Sequence, residues 1–403
     1  MPQACKERDE LAINGGRPVR ETLLPYGHQS IDEDDIQAVI ETLRSEWITT
    51  GPKVGEFENA FAEYVEAKYA VSFSSGTAAL HGAAYAAGLK SGDEAITTPM
   101  TFCATSNCIL YQGAKPIFAD VCFDTLNIDP IEIEHKISTK TKAIIPVDYA
   151  GHPVDLDDIL DISTNKKLIV IEDACHALGA TYKNQKIGSI SHMTVFSFHP
   201  VKHITTGEGG MVVTNDENFF KKLKIFRNHG IDSDARKRQE TGQWYYEMVD
   251  LGFNYRLSDI ASALGISQLN KINKNVERRR EIASIYTELI KNLGEVITPN
   301  ERNYVKSSWH LYPIRVNLKR VNAKYSEIFR ALRGENIGVN LHYMPVYMHP
   351  YYSKQLGYEQ NLCPIAEEAF NSLISLPIFH GMKDNDVEDT IHALIKVIKN
   401  YKK

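Results

Sequence analysis

The chain is short of several things that would each name a class. None of its 403 residues falls in an unbroken apolar run of the roughly 18 needed to cross a membrane, and residues 1–14 are too polar for a signal peptide. A soluble, cytoplasmic protein with no membrane partner is therefore expected. The six cysteines (Cys5, Cys103, Cys108, Cys122, Cys175 and Cys363) include no Cys-x-x-Cys pair. Reduced structural thiols follow, rather than a disulfide framework or a thiolate zinc site. Basic charge is also lacking: 45 Lys and Arg stand against 51 Asp and Glu, a net charge of −6 with the signs interspersed. Nucleic acid, which demands a basic face, is excluded as a partner. No Gly-x-Gly-x-x-Gly follows the first strand-like run, which disfavours a nicotinamide-binding oxidoreductase. Repeats and low-complexity tracts are absent as well.

What is present is a globular balance, 43% hydrophobic and 24% charged, at a length that suits a large core plus a second lobe. Short β-branched or aromatic runs lie at residues 69–73, 94–98, 116–120, 143–147, 167–171, 194–198 and 211–214. Those around Ile144 and Ile169 are apolar throughout, as in strands covered on both faces. Helical patterns at 78–87, 106–111 and 155–160 separate them, so an α/β fold with a mostly parallel sheet is expected. Residues 258–293 are helix-rich and charged, and Glu277-Arg278-Arg279-Arg280 reads as a solvated face. A smaller α+β lobe follows, ending in a helix over 386–398. The expected division is an N-terminal segment 1–30, a large domain 31–272 and a small domain 273–403. Residues 1–10 read as a flexible tail and 232–244 as an exposed polar excursion.

Three pieces carry chemistry. Ser74-Ser75-Gly76-Thr77 follows the first strand and opens a helix, where free N–H groups and the positive dipole end suit a phosphate. Glu172-Asp173-Ala174-Cys175-His176 lies at the carboxyl end of another strand, where parallel sheets present acids to a ligand crevice. Lys202 sits between two strands in a turn dense with small residues, where crowding and desolvation expose a nucleophilic amine. Each alone has an ordinary explanation: a helix cap, an acid at a strand end, a solvated lysine. Together they occur in the order expected of a pyridoxal phosphate (PLP) enzyme, whose ring nitrogen needs a carboxylate and whose phosphate needs neutral donors. The spacing of His192, His199 and His203 matches no metal-binding pattern, and no metal is expected.

With Pro99-Met100-Thr101-Phe102, Ser197-Phe198, Gly207-Glu208-Gly209-Gly210, Arg227-Asn228-His229-Gly230 and Gly252-Phe253-Asn254-Tyr255-Arg256-Leu257 added, the set resembles the DegT/DnrJ family of sugar-nucleotide aminotransferases, from about Asn14 onward. The resemblance implies the fold type I (aspartate aminotransferase-like) architecture and a homodimer with shared active sites. It further implies Lys202 as the internal-aldimine lysine and Asp173 as the partner of the pyridinium nitrogen, the two catalytic residues. Phe102 would stack on the cofactor ring, Gly76, Thr77 and Ser197 would hold its phosphate, His176 would lie beside it, and Asn254 would reach it from the other subunit. Val147-Asp148-Tyr149-Ala150-Gly151, the Lys202 turn and His342-Tyr343-Met344-Pro345-Val346-Tyr347 look most like the aminotransferases of pseudaminic acid biosynthesis. Those use glutamate to aminate a UDP-linked 4-keto-6-deoxy amino sugar. By the same resemblance Tyr26, Glu46, Trp47, Ile48, Thr49, His342, Tyr343, Met344 and Pro345 would line the sugar-nucleotide pocket.

Two half-reactions follow from that assignment, with Lys202 as covalent anchor and general acid/base. Dehydratases on the same scaffold replace the lysine with histidine, whereas Lys202 is present. A cysteine desulfurase would need a mobile nucleophilic cysteine, for which Cys363 is the candidate. A catalytically silent regulator fits the fold alone but not the intact motif set.

Overall fold

The computed structural model describes residues 10–232, 242 and 244–403. The tail expected over 1–10 and the excursion expected over 232–244 lie outside the described residues except at their ends. Seven strands form the central sheet: β1 Tyr69–Phe73, β2 Glu94–Thr97, β3 Lys115–Phe118, β4 Thr141–Ile145, β5 Ile169–Asp173, β6 Met193–Ser197 and β7 Gly210–Thr214. Their bounds fall within two residues of the expected ones. The order is β1-β7-β6-β5-β4-β2-β3. Pairing is parallel throughout except for β7, which runs antiparallel to β1 and β6. Antiparallel neighbours need only a short connection. The β6–β7 loop, residues 198–209, carries Lys202 back across the carboxyl ends of β5 and β6.

Successive strand residues feed two cores, which is why these strands read as unbroken apolar runs. On one face Ala70, Ile96, Ile144, Val170, Phe196 and Val213 pack against helix α2 Pro52–Val65, chiefly through Phe57 and Phe61, while helix α1 Glu33–Arg44 contributes nothing to this core. On the other, Val71, Ala143, Ile145, Ile171 and Val195 meet α3 Gly76–Ala86 and α4 Ala104–Tyr111. Helix α3 presents Ala78, Ala79, Ala83 and Ala84 to the sheet, so it approaches closely and its first turn lies at the end of β1. Helices α5 Pro130–Lys136, α6 Leu156–Lys166, α7 Glu217–Phe226 and α8 Asp259–Asn270 complete the covering layers.

Helix α9 Ile272–Ile290 crosses between lobes: Ile272 and Val276 belong to the first core, Ile282, Tyr286 and Ile290 to another. That other core is built on the antiparallel strands β8 Val296–Ile297, β9 Tyr312–Val316 and β10 Leu373–Leu376, with helices α10 Tyr325–Gly334, α11 Pro364–Phe370 and α12 Asp384–Tyr401. Leu11 and Leu24 of the N-terminal segment are buried in it. Glu335 fixes this segment by accepting the Ala12 and Val19 N–H groups at 2.9 and 3.0 Å and pairing with Lys396 at 2.9 Å.

The solvated face expected at 277–280 is corrected at its centre. Arg279 is fully buried and donates to the carbonyls of Trp309, His310 and Ile378. A helix that bridges two cores has no outward side at that position, and carbonyls replace the water that the guanidinium gives up.

Candidate active site

The carboxyl ends of β1, β5 and β6 open on a cavity of about 720 Å³. Local chemistry sets its phosphate-sized end. Ser75 caps α3, its hydroxyl accepting the Ala78 N–H at 3.1 Å, and the first main-chain helix bond runs from Ala79 N to Ser75 O at 3.0 Å. The N–H groups of Gly76 and Thr77 are thus the ones that helix geometry leaves for a ligand, and both residues line the cavity. Ser197, at the end of β6, faces them across the shortest gap: a Cβ on Gly76 would lie 2.9 Å from the Ser197 Cβ and 3.0 Å from its Oγ.

Asp173 ends β5, is buried, and lines the cavity. Its Oδ2 accepts the Thr105 hydroxyl at 2.7 Å, its Oδ1 accepts the Cys175 N–H at 3.2 Å, and the hydroxyls of Thr105 and Thr101 lie 2.8 Å apart. Strand alternation turns the preceding Glu172 away, to accept from Thr194 at 2.8 Å. Lys202 donates its N–H to the His199 carbonyl at 2.9 Å and places Nζ 3.4 Å from Nε2 of His310. Burial pushes the Lys202 ammonium below its ordinary pKa, against the pull of Cys175 and Asp173. A lysine so placed holds more free amine at neutral pH than an exposed one.

His176 lines the cavity, with Nε2 3.2 Å from the Tyr343 hydroxyl and its ring centroid 4.4 Å from that of His310. Burial, reinforced by Lys202, holds its pKa well below the ordinary value, so it is neutral. Phe102 lines the same cavity and is 60% exposed, with no ring of the described residues stacked on it. The opposite wall comes from the second lobe through His342, Tyr343 and Met344, and from the N-terminal segment through Tyr26, whose ring lies 5.2 Å from that of His342. Tyr149 donates its hydroxyl to the His342 carbonyl, tying the two lobes at the cavity rim.

Two expected groups are not in this wall, and Asn254 was expected only at the cavity of the other subunit. Glu46, Trp47, Ile48 and Thr49 lie outside the cavity lining, against the start of α8, where Ile48 O accepts the Asp259 N–H at 3.1 Å and Thr49 bridges Ser258. Pro345 is buried outside the lining, and its neighbour Val346 bonds to the Pro99 carbonyl at 3.0 Å. Asn254 is exposed and pairs with Asn228, away from the cavity of its own chain. Cys363 is fully buried with its thiol pushed up by burial, which removes the mobile nucleophile a desulfurase would need. Thr105, Thr101, Asn340 and His310 were not anticipated. The partners of Thr105 and His310 lie far along the chain, and no local pattern marks these residues.

The donor set fits a phosphorylated, electron-withdrawing heterocycle. It has neutral donors at one end, a buried carboxylate held by two hydrogen bonds at the other, an amine between them and an open aromatic face. Among curated proteins the chain is 42% identical over 382 residues to the spore coat polysaccharide biosynthesis protein SpsC of Bacillus subtilis, covering 94% of this chain and 98% of that one. It is 40% identical over 383 residues to a UDP-4-amino-4,6-dideoxy-N-acetyl-β-L-altrosamine transaminase of Campylobacter jejuni, covering 94% and 99%. Among solved structures, PseC of Helicobacter pylori, an aminotransferase of pseudaminic acid biosynthesis, superposes with a TM-score of 0.88 at 34% identity, over 94% of this chain and all of that one. A putative sugar aminotransferase of Streptococcus pneumoniae, Spr1654, solved in its PLP form, gives 0.88 at 32%, over 94% and 99%. The family model for DegT/DnrJ/EryC1/StrS aminotransferases matches residues 29–395, and the chain belongs to that family.

Proposed function

We propose that this aminotransferase moves an amino group from glutamate to the C4 keto carbon of a UDP-linked 4-keto-6-deoxy amino sugar; its Campylobacter relative is named a UDP-4-amino-4,6-dideoxy-N-acetyl-β-L-altrosamine transaminase and its Helicobacter neighbour an aminotransferase of pseudaminic acid biosynthesis. One observation carries the reading: the free N–H groups of α3, the Asp173 carboxylate and the Lys202 amine converge on a single cavity with a wall from the second lobe. Pyridoxal phosphate, when bound there, supplies an electron sink for charge that develops on the carbon losing or gaining a proton.

The chain does the rest. Gly76, Thr77 and Ser197 would hold the phosphate. Asp173, kept in place by Thr105 and the Cys175 amide, would partner the ring nitrogen and stabilise its positive charge. Phe102 would cover the ring, with neutral His176 beside it. Lys202 is the covalent attachment point, and its Nζ, once free, moves protons to and from the donor's α-carbon and C4 of the sugar. Tyr26, His342, Tyr343 and Met344 orient the sugar nucleotide. In this reading the large lobe carries the cofactor, while residues 273–403 and the N-terminal segment close on the sugar.

Two copies complete the site. Asn254 is exposed next to a stretch in which Trp244, Met248 and Leu251 are 85%, 65% and 68% exposed, an apolar surface of the kind a partner subunit covers. From there Asn254 and residues 46–49 would reach the partner's cavity. Among the described residues no helix is long and apolar enough to cross a membrane, which suits the cytoplasmic homodimer proposed.

Two measurements test the proposal. Lys202→Ala should lose turnover and the visible absorbance of the bound cofactor; full activity in that variant would end it. A panel of 4-keto and 3-keto nucleotide sugars assayed with glutamate, with mass analysis of products, tests the substrate. Because the SpsC relative is as similar as the transaminases, amination of a different keto sugar alone would replace the pseudaminic reading and leave aminotransfer standing.

A further inference from the structure

His310 lies outside every motif read above, yet its Nε2 is 3.4 Å from Nζ of Lys202. Its backbone is held from behind, since Arg279 of α9 donates to the carbonyls of Trp309 and His310, each at 3.2 Å. Its ring packs against those of His176 and His203, at centroid distances of 4.4 and 5.6 Å. Its remaining nitrogen, Nδ1, is buried and has no hydrogen-bond partner. A buried orphan of this kind is costly and calls for a functional reason.

We propose that His310 is a positioning residue for Lys202, its Nε2 lone pair holding the amine at the cavity wall whenever Lys202 is free of the cofactor. This rests on the reading of Lys202 as the cofactor-binding amine. Four cationic or basic groups surround the pair: Arg279, His176, His203 and, across the cavity, His342. Two acidic groups, Asp173 and Cys175, face Lys202 from the end of β5. Burial and the neighbouring Lys202 keep the His310 imidazole neutral, so the shared proton stays on the lysine nitrogen. The imidazole is then an acceptor at Nε2 with its own hydrogen on Nδ1, the atom left without a partner. An acceptor at that distance stabilises the ammonium form and offsets part of the desolvation that opposes it. It also keeps Nζ aimed at the reacting carbon.

The test reads the amine directly. Full-length protein freed of cofactor is exposed to pyridoxal phosphate and borohydride across a pH series, and the trapped lysine is located by peptide mass mapping. Wild type should trap at Lys202, with a rate that rises through the amine's midpoint. His310→Phe fills the space without an acceptor and should lower that midpoint by about one pH unit. His310→Leu, a second variant of the same logic, should do likewise, whereas His310→Gln, whose amide oxygen accepts, should restore the wild-type midpoint. A merely structural role would reduce the yield of folded protein and leave the midpoint where it was. An unchanged or raised midpoint in the Phe and Leu variants overturns the proposal. Trapping scattered over surface lysines in wild type would instead overturn the assignment of Lys202.

Discussion

Replacing Gly76 by alanine probes the phosphate site at its tightest point. The new Cβ would stand 2.9 Å from the Ser197 Cβ and 3.0 Å from its Oγ, whereas ordinary contact begins at 3.4 Å. Ser197, which ends a strand hydrogen-bonded on both sides, must therefore withdraw by about 0.5 Å. Overpacking of this size costs roughly 1–3 kcal/mol, and alanine's better helix propensity returns up to about 1 kcal/mol. Folding stability should fall by no more than about 3 kcal/mol. The ligand suffers more, because a serine hydroxyl displaced from a charged oxygen forfeits about 1.5–3 kcal/mol. That corresponds to roughly 10- to 100-fold weaker cofactor binding. Titration of cofactor-free Gly76→Ala protein with pyridoxal phosphate measures the dissociation constant, and competition by inorganic phosphate shows whether the loss lies at the phosphate. Turnover at saturating cofactor should be largely kept, since Lys202 and Asp173 are untouched. Wild-type affinity in a folded variant would refute the placement of the phosphate between Gly76 and Ser197.

Asp173→Asn should fold and bind cofactor but lose roughly 10²–10³-fold in turnover, through loss of the charge facing the ring; steady-state rates at saturating cofactor check this, and a near-wild-type rate would show that another group serves. Lys396→Met leaves Glu335 buried without its cation, an ion pair now 2.9 Å long with both side chains covered. A loss of about 3–5 kcal/mol is expected in denaturant unfolding, with new proteolytic cleavage near residues 11–24. Burial holds the pKa of His81 at about 4, His342 at about 3 and His380 at about 4. All three are neutral in the fold at values where the unfolded chain, with pKa about 6.5, binds protons. Stability should thus be level above pH ~7 and fall as pH drops from ~6.5 toward 4. His81→Phe, placed among the rings of Phe226, Phe253 and Tyr255, should flatten that slope, and thermal midpoints across the range decide it.

The strands of the sheet were legible because both of their faces are buried, so that apolar runs such as Ile144–Ile145 or Val170–Ile171 stand out without alternation. Gly76, Asp173 and Lys202 were legible because Asp173 ends a strand and the other two lie in the segments that follow one, where a change of residue type marks a change of environment. His310 and Thr105 were not. Their partners are 108 and 68 residues away in the chain, and nothing in a histidine before Leu311 or a threonine inside a helix announces a lysine or a carboxylate. Arg279 was misread for the same reason: a run of charges shows a solvated face only if the helix has one, and α9 lies between two cores. Residues 46–49 were assigned by resemblance alone, and the fold of a single chain leaves them beside α8.

The N-terminal segment leaves a mark on the order of events during synthesis. Residues 11–26 are made before the large lobe, yet their anchors are made after it. Leu24 exchanges main-chain hydrogen bonds with Asn336 and Gly338, the Tyr26 carbonyl accepts from Ile378, and the Arg17 carbonyl accepts from Lys396. The large lobe can form behind them as the chain lengthens. Tyr26 cannot take its place beside His342 until residue 378 has been made, so this wall residue, which precedes the large lobe in the chain, is among the last parts of the pocket to be set.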